Sequence, residues 1–211
     1  LFYTTGSEIF TNAFIKKYPA TNFNVSNAAT DKIIFDTAGI QYIEPYLRET
    51  ETIINIAASN AIPTVIQPTD IKGIIHSHSN WSDGSYTLEE MVKAAIEKGF
   101  EYLVISDHSK SAFYANGLQE DRIKAQHQLI DELNSRYAPF KIFKSIESDI
   151  LYDGNLDYSN SILSTFDLVI ASVHSILKMT EEKAMQRLIT AIENPYTTIL
   201  GHMTGRLLLS R

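Results

Sequence analysis

"GIIHSHSNWSDG", Gly73 to Gly84, places two histidines around one serine directly after a short apolar run, with Asp83 five positions beyond the second. Two readings compete for it. A histidine at a strand end is ordinarily a hydrogen-bonded core or loop residue. His76 and His78, on alternate strand positions, would instead lie on one side and could reach one ion. The surrounding chain decides between the two.

The pattern after this stretch is regular. "IKGIIH" (Ile71 to His76) is a short apolar strand candidate, and Leu88, Met91, Val92, Ala95 and Ile96 recur at helical spacing. Thr87, with Glu90 three positions on, forms a capping box that starts that helix. "EYLVIS" (Glu101 to Ser106), "FKIFKSIE" and "DLVIASV" (Asp167 to Val173) read as strands, as does "YTTIL". Helices are predicted over Gln119 to Asn134 and Thr180 to Glu193, the latter stopped by Asn194 and Pro195. Alternating helices and short apolar strands, whose composition predicts burial on both faces, define an α/β fold with a parallel sheet, open or barrel-shaped.

In such a fold the C-terminal ends of the strands share one face. All five strand candidates end there in a histidine or an acid: His76 and His78, Asp107 and His108, Glu147 and Asp149, His174, and Gly201 with His202. Five of the six histidines belong to this set. An accidental origin would need five strands to place an imidazole or carboxylate on one rim independently, so the metal reading is preferred. His127, inside a predicted helix, reads as a surface residue. Asp83 follows a turn and is placed to return to the same ions. The chain has no cysteine, which excludes disulfides and thiolate ligands. Imidazole and carboxylate without sulfur suit Zn, Mn or Fe(II). Seven candidate ligands exceed the needs of one tetrahedral ion, so two or three metals are expected, bridged by a carboxylate such as Glu147. Such ions clamp the oxygens of a phosphoester and generate hydroxide near neutral pH.

Other features bound the function. With 211 residues, 44% hydrophobic and 20% charged, the composition is that of a soluble globular protein. The formal charge of −7 argues against nonspecific coating of nucleic acid. It leaves a DNA-processing site open, because acidity around metals is reversed by the ions. No run reaches the roughly 18 to 20 apolar residues of a membrane span, and "LFYTTGSEIF" lacks the order of a signal peptide, so a cytoplasmic protein without membrane contact is expected. No G-x-S-x-G, P-loop or G-x-G-x-x-G motif occurs. The first seventy or so residues hold no histidine, carry an Asn and Thr cluster at Thr21 to Asp31, and end in "IPTVIQPTD"; a boundary is expected near Pro68 to Asp70.

The ordered run His-x-His, W-S-D-G, "ISDHS", "IESDIL", "DGNLDY", "SVHS" and "NPYTTILGHMTGRLLLSR" resembles the polymerase and histidinol phosphatase (PHP) domain, in the version carried by bacterial family X DNA polymerases. "SAFYANGL" (Ser111 to Leu118) and "DGNLDY" (Asp153 to Tyr158) favour that version over stand-alone phosphatases. The resemblance implies a distorted (β/α)7 barrel over residues 70–211, preceded over residues 1–69 by a small α+β piece like the polymerase thumb and its linker. It further implies His76, His78, Asp83, His108, Glu147, His174 and His202 as metal ligands, with His76 and His78 essential to catalysis. Arg206, in "GHMTGR", is a candidate for a substrate phosphate and reads equally as a surface arginine. The implied cofactors are two or three divalent metals, Mn or Zn, with Fe also in range. The implied activity is 3′–5′ exonuclease or 3′-end phosphoesterase work on gapped or nicked DNA, partnered by the rest of its own polymerase chain in DNA repair. A non-catalytic DNA-binding or stabilising module and a histidinol-phosphatase-like monoesterase are the alternatives. In the family, further strands and a late Asp-x-His follow the position of Arg211, and a palm precedes the thumb, so a truncated barrel in a piece of a longer polymerase is expected. Met203 stands where proline is usual in the family.

Overall fold

The computed structural model describes residues 2–19 and 30–203. The chain divides into two compact units, Leu1–Ile66 and Gln67–Arg211.

In the first unit, helix α1 (Glu8–Lys17) starts where the Ser7 hydroxyl accepts the Phe10 amide at 3.0 Å. Helix α2 (Lys32–Ala38) ends at Gly39, whose φ of 67° is the left-handed conformation that favours glycine, and α3 (Thr52–Ala58) follows. Phe2, Phe10, Phe14 and Phe35 form the core, with the buried Arg48 guanidinium 4.9 Å from the Phe35 ring centre. Arg48 is held there by Asp31 Oδ2 at 2.7 Å and by the Ile43 carbonyl at 2.8 Å. The described part of this unit is helical, without the strand that an α+β piece requires. Its core residues explain why: Phe10 and Phe14 sit one helical turn apart on a single face.

The second unit alternates strictly. Strand β1 (Gly73–Ser77) is followed by α4 (Leu88–Glu97), β2 (Tyr102–Ile105), α5 (Glu120–Arg136), β3 (Lys141–Asp149), α6 (Asn160–Leu163), β4 (Leu168–Ser172), α7 (Glu181–Glu193) and β5 (Thr197–Leu200). The five strands pair in the order of the chain and all in parallel. The capping box is present: Glu90 Oε2 accepts the Thr87 amide at 2.8 Å, and Thr87 Oγ1 accepts the Glu90 amide at 3.3 Å. Leu88, Val92 and Ala95, one stripe of α4, pack on Leu103 and Ile105 of β2. The central strands are buried. In contrast to the expectation of burial on both faces, β1 at the sheet edge leaves Ile74 and Ile75 exposed.

The sheet curls. Four strand spacings of about 4.8 Å would separate the ends of β1 and β5 by roughly 19 Å in a flat sheet. The rings of His76, on β1, and His202, two residues past β5, are nevertheless 5.7 Å apart. An α/β sheet that bends its two edges toward one point is part of a barrel, as the sequence suggests, and the described residues supply five of its strands.

Candidate metal centre

Glu147 is the floor of the concave face. It sits near the end of the central strand β3, and its carboxylate is 1% exposed. The neighbouring chain holds it from both directions: the Glu147 amide donates to Asp107 O at 3.0 Å, and the Ser109 amide donates to Glu147 O at 3.0 Å. Five imidazoles surround it. Oε1 lies 2.9 Å from His76 Nε2, 3.1 Å from His174 Nε2 and 2.8 Å from His202 Nε2. Oε2 lies 3.1 Å from His108 Nδ1 and 3.6 Å from His78 Nε2. Asp83 stands above this floor, with its Oδ2 3.7 Å from His108 Nε2 and its Oδ1 4.0 Å from His78 Nδ1. Its side chain is 49% exposed, so the cluster opens to solvent on that side and a ligand can enter there.

The pair at the start of the cluster is built differently from a plain strand. The register slips by one residue between Ile74 and Ser77, and His76 within the slip has a φ of 65°. This bulge re-aims His76, while His78 already lies beyond the strand end. Its backbone conformation is one that histidine tolerates better than most residues. The turn that returns Asp83 depends on Gly84, where a Cβ atom would fall 2.2 Å from the His78 carbonyl.

Three more buried side chains fix the shell. Asp149 Oδ1 meets His174 Nδ1 at 2.5 Å, which leaves the Nε2 of that ring facing Glu147. Asp107 is fully buried and accepts four hydrogen bonds, from Ser79 N (2.7 Å), Ser79 Oγ (2.7 Å), Ser82 Oγ (2.6 Å) and Gln126 Nε2 (2.7 Å). It ties down the loop that carries Asp83. Arg187 of α7, 1% exposed, donates to Leu151 O (2.9 Å) and Ile150 O after β3, and to Ser175 O (3.1 Å) and Ile176 O (3.2 Å) after β4. One guanidinium therefore binds the two loops that follow Glu147 and His174.

The electrostatics follow from this crowding. Burial pushes the Glu147 carboxyl up, but hydrogen bonds from His174 and His76 outweigh it and hold it well below the usual carboxylate range. Burial works against a charge on His174, yet Asp149 and Glu147 together push its pKa up to about 9. Burial and the neighbouring His108 lower the pKa of His78.

The residues fit a set of cations. Oε1 of Glu147 has two lone pairs and faces three imidazole nitrogens within 3.1 Å, more than it can serve as a hydrogen-bond acceptor. His78 Nδ1 and His108 Nδ1 are buried without a hydrogen bond, although the latter lies 3.1 Å from Glu147. Ligands about 2.1 Å from one tetrahedral ion lie about 3.4 Å from each other, close to these separations. Three overlapping groups have donor atoms within 4.8 Å of one another: His76, His78 and Glu147; His78, Asp83 and His108; and His108, Glu147 and His174.

The other six expected ligands thus surround Glu147, the five imidazoles directly and Asp83 through His78 and His108. Arg206 lies outside the described residues. His127 departs from its reading as a surface residue: it is half-buried edge-on against Phe166, 4.9 Å between ring centres, away from the cluster. The sequence places Asp107 and Asp149 at strand ends and outside the seven expected ligands, but gives them no supporting role. It gave no role to Arg187, which a helical pattern marks only as polar.

A curled parallel sheet with a histidine and carboxylate rim at its strand ends is the architecture of a PHP-type domain. Residues 75–205 match the PHP domain family, and the chain belongs to it. Over 170 residues the chain is 42% identical to a Bacillus subtilis (strain 168) protein named DNA polymerase/3′-5′ exonuclease PolX, covering 81% of this chain and 30% of that protein. It is also 31% identical over 133 residues to a probable phosphatase of Thermoanaerobacter sp. (strain X514), covering 60% of this chain and 51% of the relative. A probable phosphatase of Acetivibrio thermocellus is 30% identical over 136 residues, covering 60% and 52%. The chain therefore spans about a third of the polymerase and about half of each phosphatase. These relatives support a phosphoesterase domain. Among the described residues, no helix is long and apolar enough to cross a membrane.

Proposed function

We propose that this chain is the 3′-end phosphoesterase module of a cytoplasmic DNA polymerase, acting on gapped or nicked DNA during repair. In this reading residues 1–69 are a thumb-like segment with its linker and residues 70–211 are the PHP domain. The observation that carries it is the sharing of one buried carboxylate, Glu147, by five imidazoles at the mouth of a curled parallel sheet. His76, His78, Asp83, His108, Glu147, His174 and His202 would hold two or three divalent ions, Mn or Zn by donor type, with Fe also compatible. Such ions supply an activated water and neutralise the charge that develops on a phosphate under attack.

The chain's own residues do the rest. Glu147, held ionised by its hydrogen bonds, carries the negative charge that balances the cations on the buried side. Asp149 keeps the His174 ring in one orientation, and Asp107 holds the Asp83 loop in place at the edge of the cluster. The exposed Asp83 side is where the phosphodiester would enter. Arg206 remains the candidate partner for a substrate phosphate.

The kinship with proteins named as probable phosphatases supports a second reading, hydrolysis of small phosphomonoesters. One assay separates the two: nucleotide release from a primed 3′ end and phosphate release from a small phosphomonoester, each with Mn, by the full-length protein. The proposal expects DNA hydrolysis that His76→Ala or His78→Ala abolishes. DNA hydrolysis that survives both substitutions would refute it.

A further inference from the structure

The loop Ser109–Leu118 leaves the cluster directly after His108 and returns to it: the Leu118 amide donates to His108 O at 2.9 Å. It is a rigid excursion. The Ala112 amide donates to Ser109 O at 3.0 Å, the Gly117 amide donates to Ala112 O at 3.1 Å, and Asp157 accepts the Ser111 amide at 2.6 Å. A Cβ at Gly117 would fall 1.8 Å from Ser109 O, so the loop closes only with glycine there. Ala112, Ala115 and Leu118 are buried beneath it. At its crest, in the short turn Phe113–Ala115, stand two aromatic rings that the core does not use: Phe113 is 84% exposed and Tyr114 is 73% exposed.

Tyr114 is not displayed at random. Its ring centre is 6.3 Å from that of His108, at an interplanar angle of 58°, so it borders the cluster itself. A solvent-facing ring on a hydrogen-bonded loop, bordering a phosphate-directed centre, can offer a face to the nucleotide whose phosphate would sit there. Aromatic side chains stack on any nucleobase without sequence preference. We infer that Tyr114, with Phe113 adjoining it, forms a stacking platform for the terminal nucleobase of a DNA 3′ end whose phosphodiester lies at the Glu147 cluster. The inference rests on the DNA reading given above and adds the subsite that selects a base-bearing strand over a small phosphate ester.

The test pairs the side chain with the base. Nucleotide release by the full-length protein is measured on a single-stranded 3′ end that terminates either in a normal nucleotide or in a tetrahydrofuran abasic residue. On the normal end, Tyr114→Ala is expected to raise KM about tenfold with kcat within about twofold, as expected for the loss of one stacked base, and Tyr114→Phe is expected to match the wild type. On the abasic end the wild type should fall to the level of Tyr114→Ala, and that variant should be indifferent to the base. Equal KM for wild type and Tyr114→Ala on the normal end would overturn the platform while leaving DNA hydrolysis intact. A wild-type protein that cleaves neither DNA end but hydrolyses small phosphomonoesters would overturn the DNA reading, and the platform with it.

Discussion

His174 Nδ1 and Asp149 Oδ1 lie 2.5 Å apart at the end of β4, and this contact decides which nitrogen of His174 faces Glu147. It also gives the metal-free domain a pH signature. The folded pKa of His174 is raised from 6.5 to about 9, so its contribution to stability is complete below about 6.5 and is lost as pH rises through about 9. Glu147 is shifted in the opposite direction, so its contribution is present above 4.5 and fades as pH falls. In the presence of a chelator, the melting temperature should therefore peak between about pH 5 and 7 and decline toward pH 9. In Asp149→Ala the alkaline decline should shrink and the His174 titration, followed by NMR, should move down, with Glu147 left as the partner that raises it. Metal affinity of that variant should fall roughly 10- to 100-fold, the usual cost of losing the carboxylate behind a ligating histidine.

The same shift predicts proton release. At pH 7.5 His174 is protonated in the metal-free protein and must lose a proton for Nε2 to bind a cation. Calorimetric titration with Mn in two buffers of different ionisation enthalpy should show at least one proton released per chain, and less release above pH 9. Equal heats in the two buffers would contradict the His174 assignment.

Asp107 tests how the Asp83 loop is held. Replacing it with alanine strands four donors in a buried site, from Ser79, Ser82 and Gln126. The expected cost is roughly 3 kcal/mol or more in urea denaturation, larger than for an exposed carboxylate such as Glu97.

Arg187→Met should act on both loops together. It removes the donors that hold the Ile150, Leu151, Ser175 and Ile176 carbonyls while keeping the apolar stem. Hydrogen exchange should accelerate in residues 150–152 and 174–177 together. A change confined to one loop would show that the guanidinium does not link them.

Much of this site could be read from the sequence, for a physical reason. Parallel strands deliver their C-terminal residues to one rim, so a histidine or acid at each strand end is enough to assemble a cluster on paper. The capping box at Thr87 was equally legible, because it depends on residues three apart. The bulge at His76 was not: alternation along β1 suggested a plain strand, and only the slipped register to β2 reveals the re-aimed ring. Glu147 and Asp149 have the same strand parity, so strand alternation alone does not tell the carboxylate that meets five imidazoles from the one that orients a single ring; only the family resemblance separates them. Arg187 and His127 show the same limit on helices. Their burial depends on what packs against α7 and α5, and a polar residue carries no signal of that neighbour.

The most direct test of the account is the metal content of the full-length protein after exhaustive dialysis against Mn, measured by mass spectrometry beside Glu147→Ala. Two or more ions per chain, falling below one in the variant, are expected if Glu147 is the shared carboxylate of a multinuclear centre. A wild-type protein that retains no ion, or a Glu147→Ala variant that retains the full number, would contradict it.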